Sequence, residues 1–137
     1  EHDIISTALI SENYAYIGGR SEELDAYILK AYDMEGNHLL TFGEKGKDGD
    51  DWLAYVSQIM EIPEGFFGID ANMRDLYIWG PDASVLGSVE APDLFGARYA
   101  WIAGAAKQDD GSILVALTQD RDDDSATELL LYRLSGF

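Results

Sequence analysis

Carboxylates concentrated toward the end of the sequence are the first candidates for chemistry. Asp120, Asp122 and Asp124 alternate along the chain, and a calcium-binding loop carries ligands at its first, third and fifth positions. The EF-hand form of that loop also needs glycine at the sixth position and glutamate at the twelfth, where this chain has Ser125 and Leu131. The sequence therefore predicts no resident cofactor, with calcium at the three aspartates as the alternative.

The residues of nucleophilic catalysis are sparse. The chain has no cysteine and 2 histidines, His2 and His38. A Ser-His-Asp triad needs a histidine that contacts both a serine and a carboxylate, and His38 is the only plausible base. No G-x-S-x-G sequence supplies a nucleophile, and no glycine-rich phosphate-binding motif is present. The sequence thus predicts no catalytic residue and favours a non-enzymatic protein.

Aromatic side chains at the junctions of predicted loops and strands are the candidates for binding. The chain has 3 Trp, 8 Tyr and 5 Phe, most of which we expect to pack between sheets. Trp52 opens a strand directly after a loop, and Phe95 and Tyr99 flank a second loop that contains Arg98. Tryptophan, tyrosine and arginine dominate the hot spots of binding surfaces. The predicted binding residues for a protein or a glycan are therefore Trp52, Phe95, Arg98 and Tyr99.

The charge of the chain excludes several classes of partner. Its 137 residues include 26 acidic and 9 basic side chains, which gives a formal net charge of −17. A nucleic-acid-binding surface needs clustered Lys and Arg side chains to displace counterions, and the basic residues here form no cluster. No apolar run approaches the ~18 residues of a membrane-spanning helix. We therefore expect one acidic domain that neither binds nucleic acid nor spans a membrane.

Turn residues interrupt the sequence about every ten positions, which is the spacing of short strands in all-β proteins. The window 21–31 also has features of a helix, but AYILKAYD runs directly into a turn, and we predict a loop followed by a strand there. Most strands are apolar on both faces, so we expect sheets that are covered on both sides. The predicted strands are Ile4–Ile10, Tyr14–Gly18, Ala26–Asp33, His38–Phe42, Leu53–Glu61, Phe66–Ala71, Leu76–Trp79, Val85–Val89, Tyr99–Ala106, Ile113–Thr118 and Glu128–Leu134.

A unit of four strands recurs along the chain. AYDMEGNHLL and IWGPDASVLG each contain an aromatic strand end, a polar turn and an apolar strand, and LLLYRLSGF repeats the first of these strands. Tyr32, Trp79 and Tyr132 are then equivalent, and the repeat is about fifty residues long. Four-stranded sheets stacked around an axis are the blades of a β-propeller. We predict a partial propeller or half-ring whose last blade lacks its outer strand. The three antiparallel blades are predicted at about 4–43, about 52–90 and about 98–137.

Two stretches resemble a known family. TFGEKGKDGDDW, residues 41–52, resembles the FGxxGxGPxEF segment between blades of six-bladed propellers of the NHL and TolB-like type, particularly exported proteins of Bacteroidota, although DGD replaces Gly-Pro-Glu. GFFGIDANMRDLYIWGPDASVLGSV is similar to the strand pattern of that family, with Asp70 at its strand-b aspartate and Trp79 at its strand-c aromatic. The resemblance implies a binding or scaffold role, with enzymes a minority, and a periplasmic, cell-surface or secreted location.

The number of blades bears on function, because this resemblance implies a ring of six. Three blades leave two open edges, and we expect further blades of the same chain or a second copy to cover them. The remaining alternative is a different closed β fold. The leading expectation is a non-enzymatic module that recognises a protein or a glycan through its rim loops. One alternative is part of a metal-dependent six-bladed hydrolase, lactonase or lyase. Another is a structural half-propeller that acts by self-assembly.

Overall fold

The computed structural model describes residues 4–46, 52–72, 75–96, 100–120 and 127–136. Within these ranges the chain folds into 11 β-strands and one short helix. The helix, α1, spans Ala91–Phe95 and lies between the eighth and ninth strands. No helix in these ranges has the length and apolar character needed to cross a membrane. The strands are β1 (Ile4–Ile10), β2 (Ala15–Ser21), β3 (Ala26–Tyr32), β4 (His38–Phe42), β5 (Val56–Ile62), β6 (Gly65–Asp70), β7 (Asp75–Trp79), β8 (Val85–Glu90), β9 (Ala100–Lys107), β10 (Ile113–Asp120) and β11 (Thr127–Leu134).

The strands form three separate antiparallel sheets, and each sheet is made from consecutive strands. Sheet 1 has the order β1-β2-β3-β4, sheet 2 has β5-β6-β7-β8, and sheet 3 has β9-β10-β11. Among the described residues sheet 3 contains three strands, and none of the sheets closes on itself. The predicted all-β architecture is confirmed at this level.

The predicted strands are all present, with ends that lie within three residues of the expected positions. The largest difference at a strand start is in β5, which begins at Val56 rather than Leu53. Leu53 instead pairs with Tyr27 in an isolated bridge, which ties sheet 1 to the segment that precedes sheet 2. Helix α1 was not predicted. Pro92 occupies its first turn and Gly96 ends it with a left-handed φ of 64°, the conformation that favours glycine.

Sheet 2 lies between the other two sheets, and its strands β5, β6 and β7 bury side chains on both faces. One core cluster joins sheet 1 to sheet 2, and a second joins sheet 2 to sheet 3. Successive side chains of a strand point to opposite faces, so Phe66 enters the first cluster and Phe67 the second. Trp79 is fully buried, with its ring centroid 5.0 Å from that of Phe42 and 5.1 Å from that of Tyr77. Burial on both sides explains why β6 and β7 do not alternate between apolar and polar residues. The expected cover on both sides is therefore present for sheet 2, whereas Ile5 of sheet 1 and Leu129 of sheet 3 are exposed.

The sheets come together through their first strands. β1 contacts β5, and β5 contacts β9. Glu61 of β5 is bonded on both sides: its carboxylate accepts the Ser11 hydroxyl at 2.5 Å, and its backbone carbonyl accepts the Lys107 ammonium at 2.8 Å. These two hydrogen bonds connect the middle sheet to each of its neighbours.

Candidate functional site

The turns and connections of the molecule lie at the two opposite ends of the strands. Because each sheet is an up-and-down series of strands, the β2–β3 and β6–β7 turns lie at the same strand ends as the segments that lead from sheet to sheet. We call this set of strand ends the crossing rim. Its described residues are 22–25, 43–46, 52–55, 71–72 and 91–96.

A cleft of about 420 Å³ opens on the crossing rim between sheet 1 and the segment that leads to β5. Trp52 lines this cleft with 41% of its surface exposed. Tyr27 and Leu53, both buried, also line it. Arg20 and Asp25 form an ion pair in the lining, and both side chains are more than half exposed. The cleft therefore combines an accessible indole with a paired cation and anion. We call it the Trp52 cleft.

Asp70, at the end of β6, fixes the segment that carries Trp52. The carboxylate is fully buried, and one oxygen accepts the backbone N–H of Ala54 at 2.6 Å. The other oxygen accepts the N–H of Tyr55 and a third N–H in the β6–β7 turn, each at 3.1 Å. The Trp52 carbonyl accepts the Tyr77 hydroxyl at 3.2 Å. Side chains of sheet 2 thus anchor the backbone from which the indole extends.

The remaining polar groups of the Trp52 cleft are also held in place. The Tyr27 hydroxyl donates to Thr7 Oγ1 at 3.2 Å, and burial raises the pKa of Tyr27 above its usual value, so the hydroxyl stays protonated. Asp25 has a left-handed φ of 48° at the end of the β2–β3 turn, beside Arg20. Aspartate tolerates this conformation better than most residues. The cleft thus offers donors and acceptors of defined position.

Of the other predicted binding residues, the structure describes Phe95, which does not line the Trp52 cleft. Phe95 lies in α1, where it is partly buried against the core between sheets 2 and 3. Its ring centroid is 4.8 Å from that of Tyr132, which gives Phe95 a packing role. Arg98 and Tyr99 lie outside the described residues. Their assignment as binding residues stays a prediction.

The structure describes one of the candidate metal ligands, Asp120, and the candidate base, His38. Asp120 is the last residue of β10, whereas Asp122 and Asp124 lie outside the described ranges. Across the part of the chain that the structure describes, no group of three or more His, Asp and Glu side chains is placed to hold a metal. His38 is exposed at the start of β4, where Nε2 lies 3.0 Å from the Leu40 carbonyl and 2.9 Å from the Thr41 hydroxyl.

Arg20 and Asp25 were not predicted from the sequence. The two residues bracket the β2–β3 turn, and antiparallel pairing of Ser21 with Ala26 brings them together. A basic and an acidic residue on either side of a predicted hairpin turn are the signal that identifies such a pair. Their position beside Trp52 depends on how sheet 1 packs on the segment before sheet 2, and local sequence does not encode that packing.

A second cleft, of about 530 Å³, lies between sheet 2 and the outer edge of β11. Its lining is mainly apolar, with Leu76, Ile78 and Val89 from sheet 2 and Leu134 from sheet 3. It occupies the place that a fourth strand of sheet 3 takes if that sheet follows the order of sheets 1 and 2. This cleft is larger than the Trp52 cleft, but its aromatic lining residue, Phe67, is buried rather than accessible.

Comparisons with known proteins add no relative. No protein-family model matches the chain, and no curated protein matches it. The functional assignment therefore rests on the geometry of the described residues.

Proposed function

We propose that the three sheets are neighbouring blades of a β-propeller. Sheet 2 buries both of its faces against its neighbours, and the first strands of the sheets lie together. Four-stranded sheets that pack face to face around their inner strands are the construction principle of propellers. The pattern of residues 41–52 and 65–89 supports the six-bladed NHL and TolB-like type.

In this proposal the molecule is a non-enzymatic binding module that acts outside the cytoplasm and holds a glycan in the Trp52 cleft. Trp52 itself carries the proposal. The side chain is 41% exposed although its backbone is anchored by buried Asp70 and by Tyr77. An indole that is partly exposed on a rigid support suits binding, because tryptophan combines a large apolar ring with a polar N–H group.

The size and polarity of the cleft favour a sugar over a protein surface. A volume of about 420 Å³ lies in the range of small-molecule sites. A sugar ring presents C–H groups to an indole and hydroxyl groups to the Arg20–Asp25 pair, which supplies both donors and acceptors. The net charge of −17 favours a neutral or cationic sugar over an acidic one.

Isothermal titration calorimetry with a defined set of oligosaccharides tests the proposal. Suitable probes are the hexamers of β-1,4-linked glucose, of N-acetylglucosamine and of glucosamine. We expect Trp52→Ala to weaken the binding of a sugar that the wild-type chain binds by at least about tenfold, because loss of an aromatic hot spot costs more than about 1.4 kcal/mol.

Trp101→Ala is the matched control, since Trp101 is also exposed but lies in β9. It should bind the sugar with the wild-type dissociation constant. Equal affinities of wild type and Trp52→Ala, or no binding of any sugar in the set, would contradict a glycan site in this cleft. Binding of a folded protein that depends on Trp52, without sugar binding, would replace the glycan by a protein ligand.

A further inference from the structure

The three sheets each have a leucine at an equivalent position of the repeated strand pattern. Strand pairing places Leu29 opposite Gly18, Leu76 opposite Ile69 and Leu129 opposite Thr118. Each leucine lies three positions before the repeated aromatic of its strand, Tyr32, Trp79 or Tyr132. The three leucines therefore point toward the same side of their sheets.

The environments of these leucines differ sharply. Leu29 is 0% exposed in the core between sheets 1 and 2, and Leu76 is 3% exposed in the core between sheets 2 and 3. Leu129 is 73% exposed, and its neighbour on the same face, Leu131, is 68% exposed. Sheet 3 thus repeats the docking face of sheets 1 and 2, with no sheet packed against it in the described structure.

Sheet 1 presents the complementary face at the other end of the molecule. Trp79 points from sheet 2 toward sheet 1 and is fully buried, whereas its equivalent Tyr32 points away from sheet 2. Ile5 and Ile17, which are 67% and 36% exposed, lie with Tyr32 around a shallow depression on this outward face. This face corresponds to the side of sheets 2 and 3 that receives the preceding sheet.

Charge also distinguishes these two outward faces. The chain carries 26 acidic residues, yet the outward strand positions of β10 and β11 in sheet 3 include a single acidic residue, Asp120 at the end of β10. The outward positions of sheet 1 within 15–19 and 28–32 include none. Strands that face water in a strongly acidic protein are expected to carry such charges, so their scarcity on both described faces favours burial.

We propose that the outward face of sheet 3 packs against the outward face of sheet 1 of a second copy of this chain. The contact repeats between molecules the packing of sheet 1 on sheet 2 and of sheet 2 on sheet 3. Two copies joined by two such contacts form a ring of six sheets. Ring closure rests on the proposed propeller arrangement, whereas the single contact rests on the exposed faces alone.

Sedimentation velocity of single and mixed variants tests the proposal. Leu131→Lys places a charge on the sheet 3 face, and Ile5→Lys places one on the sheet 1 face. Each variant alone leaves every intermolecular contact with one damaged side, and we expect self-association to weaken at least about 100-fold. An equimolar mixture restores one contact in which both faces are intact, so a dimer of one copy of each variant should form.

Leu86→Lys is the matched control, because Leu86 is 60% exposed in β8 of the middle sheet. It should associate like the wild-type chain, and circular dichroism verifies that all variants are folded. A monomeric wild-type chain overturns the proposal. So does a mixture that stays monomeric, or an Ile5→Lys variant that still dimerises, since this last result means that sheet 3 pairs with itself.

The association test is independent of sugar binding. Trp52 lies on the crossing rim, away from both outward faces, so Trp52→Ala should sediment like the wild-type chain. Loss of sugar binding and loss of association are therefore separate results, and either proposal can fail while the other stands.

Discussion

At the residue scale, Asp70 connects the core to the Trp52 cleft. Its carboxylate accepts three backbone N–H groups while fully buried. Hydrogen bonds to a charged acceptor contribute about 1.5–3 kcal/mol each in proteins. A buried charge without such partners is strongly unfavourable. The Asp70 carboxylate and the backbone of the segment 52–55 therefore hold each other in place.

Asp70→Asn should lower the free energy of unfolding by about 2–4 kcal/mol, because the amide group turns one acceptor into a donor that faces N–H groups. Urea denaturation measures this change. The sugar affinity of the folded variant should fall as well, since the support of Trp52 is weakened. Asp82→Asn is the control: Asp82 bonds only within its exposed turn to Ser84. A loss in Asp82→Asn as large as that in Asp70→Asn would contradict the anchoring role.

Tyr16 couples stability to alkaline pH. The side chain is 1% exposed, and its hydroxyl has no hydrogen-bond partner among the described residues. Burial, followed by the nearby charge of Glu61, raises the pKa of Tyr16 well above its usual value. The folded state therefore favours the protonated phenol. This contribution is fully present below the unfolded-state pKa of about 10 and is lost as the pH rises toward the folded-state value.

Tyr16→Phe should be at least as stable as the wild type at pH 7, because the removed hydroxyl is buried without a hydrogen bond and such burial is unfavourable. Between about pH 9 and about pH 11 the variant should lose less stability than the wild type. Urea denaturation across this range measures the difference. Parallel curves for the two proteins would show that Tyr16 ionises as readily in the folded state as in the unfolded state.

The binding residues show how far prediction from sequence reaches at this scale. Trp52 was identifiable because a large aromatic residue directly follows a glycine-rich loop. Arg20 and Asp25 were not, because they lie far from Trp52 in the sequence. Only the packing of sheet 1 against the segment before β5 brings the three side chains to one cleft.

At the element scale, three turns share one design. The turns 33–37, 80–84 and 108–112 each have a backbone hydrogen bond from the first N–H to the fifth carbonyl and another from the fourth N–H to the first carbonyl. The fourth residue has a left-handed φ in every case: 90° at Gly36, 66° at Ala83 and 83° at Gly111. Glycine adopts this conformation without the steric cost that a side chain brings.

Gly36→Ala should lower the free energy of unfolding by about 1 kcal/mol. An added Cβ at Gly36 meets no atom within 4 Å, so the cost comes from the backbone alone. Gly87→Ala is the matched control, because Gly87 has equally open surroundings and no left-handed φ. Thermal or urea unfolding should show the control to be as stable as the wild type or slightly more so. Equal losses in both variants would exclude a conformational cause.

Local signals explain which elements were predictable. Turns of Gly, Asp and Pro residues delimit the strands, and these signals depend only on neighbouring residues. Helix α1 was not predicted, because its 5 residues are too few to show the periodic spacing of apolar residues that identifies a helix. Its position depends on the burial of Ala91 between sheets 2 and 3, which is a tertiary contact.

At the scale of the whole molecule, the net charge of −17 opposes association of two copies. The proposed contact joins apolar faces, so repulsion between the copies is mainly long-range. The Debye length falls from about 14 Å at 0.05 M salt to about 4 Å at 0.5 M salt. Sedimentation at these two sodium chloride concentrations should therefore show a dissociation constant several-fold lower at high salt. A dissociation constant that rises with salt would indicate an interface built on ion pairs.

The repeated strand pattern made the number of sheets predictable from the sequence. Equivalent aromatics at Tyr32, Trp79 and Tyr132 predicted three sheets, and the structure contains three. The exposure of Leu129 and Leu131 was not predictable, because the equivalent leucines Leu29 and Leu76 are buried where another sheet packs on their face. The sequence indicates which side chains share one face of a sheet, but only the structure shows whether another surface covers that face.

The three tryptophans occupy three different environments. Trp79 is fully buried in the core between sheets 1 and 2, Trp52 lines the cleft, and Trp101 is 56% exposed in sheet 3. Indole fluorescence shifts with the polarity of its surroundings, so unfolding, ligand binding and association can each be followed through a different tryptophan. Variants that retain a single tryptophan separate the three signals. Trp79 reports unfolding, Trp52 reports ligand binding in the cleft, and Trp101 reports association of two copies.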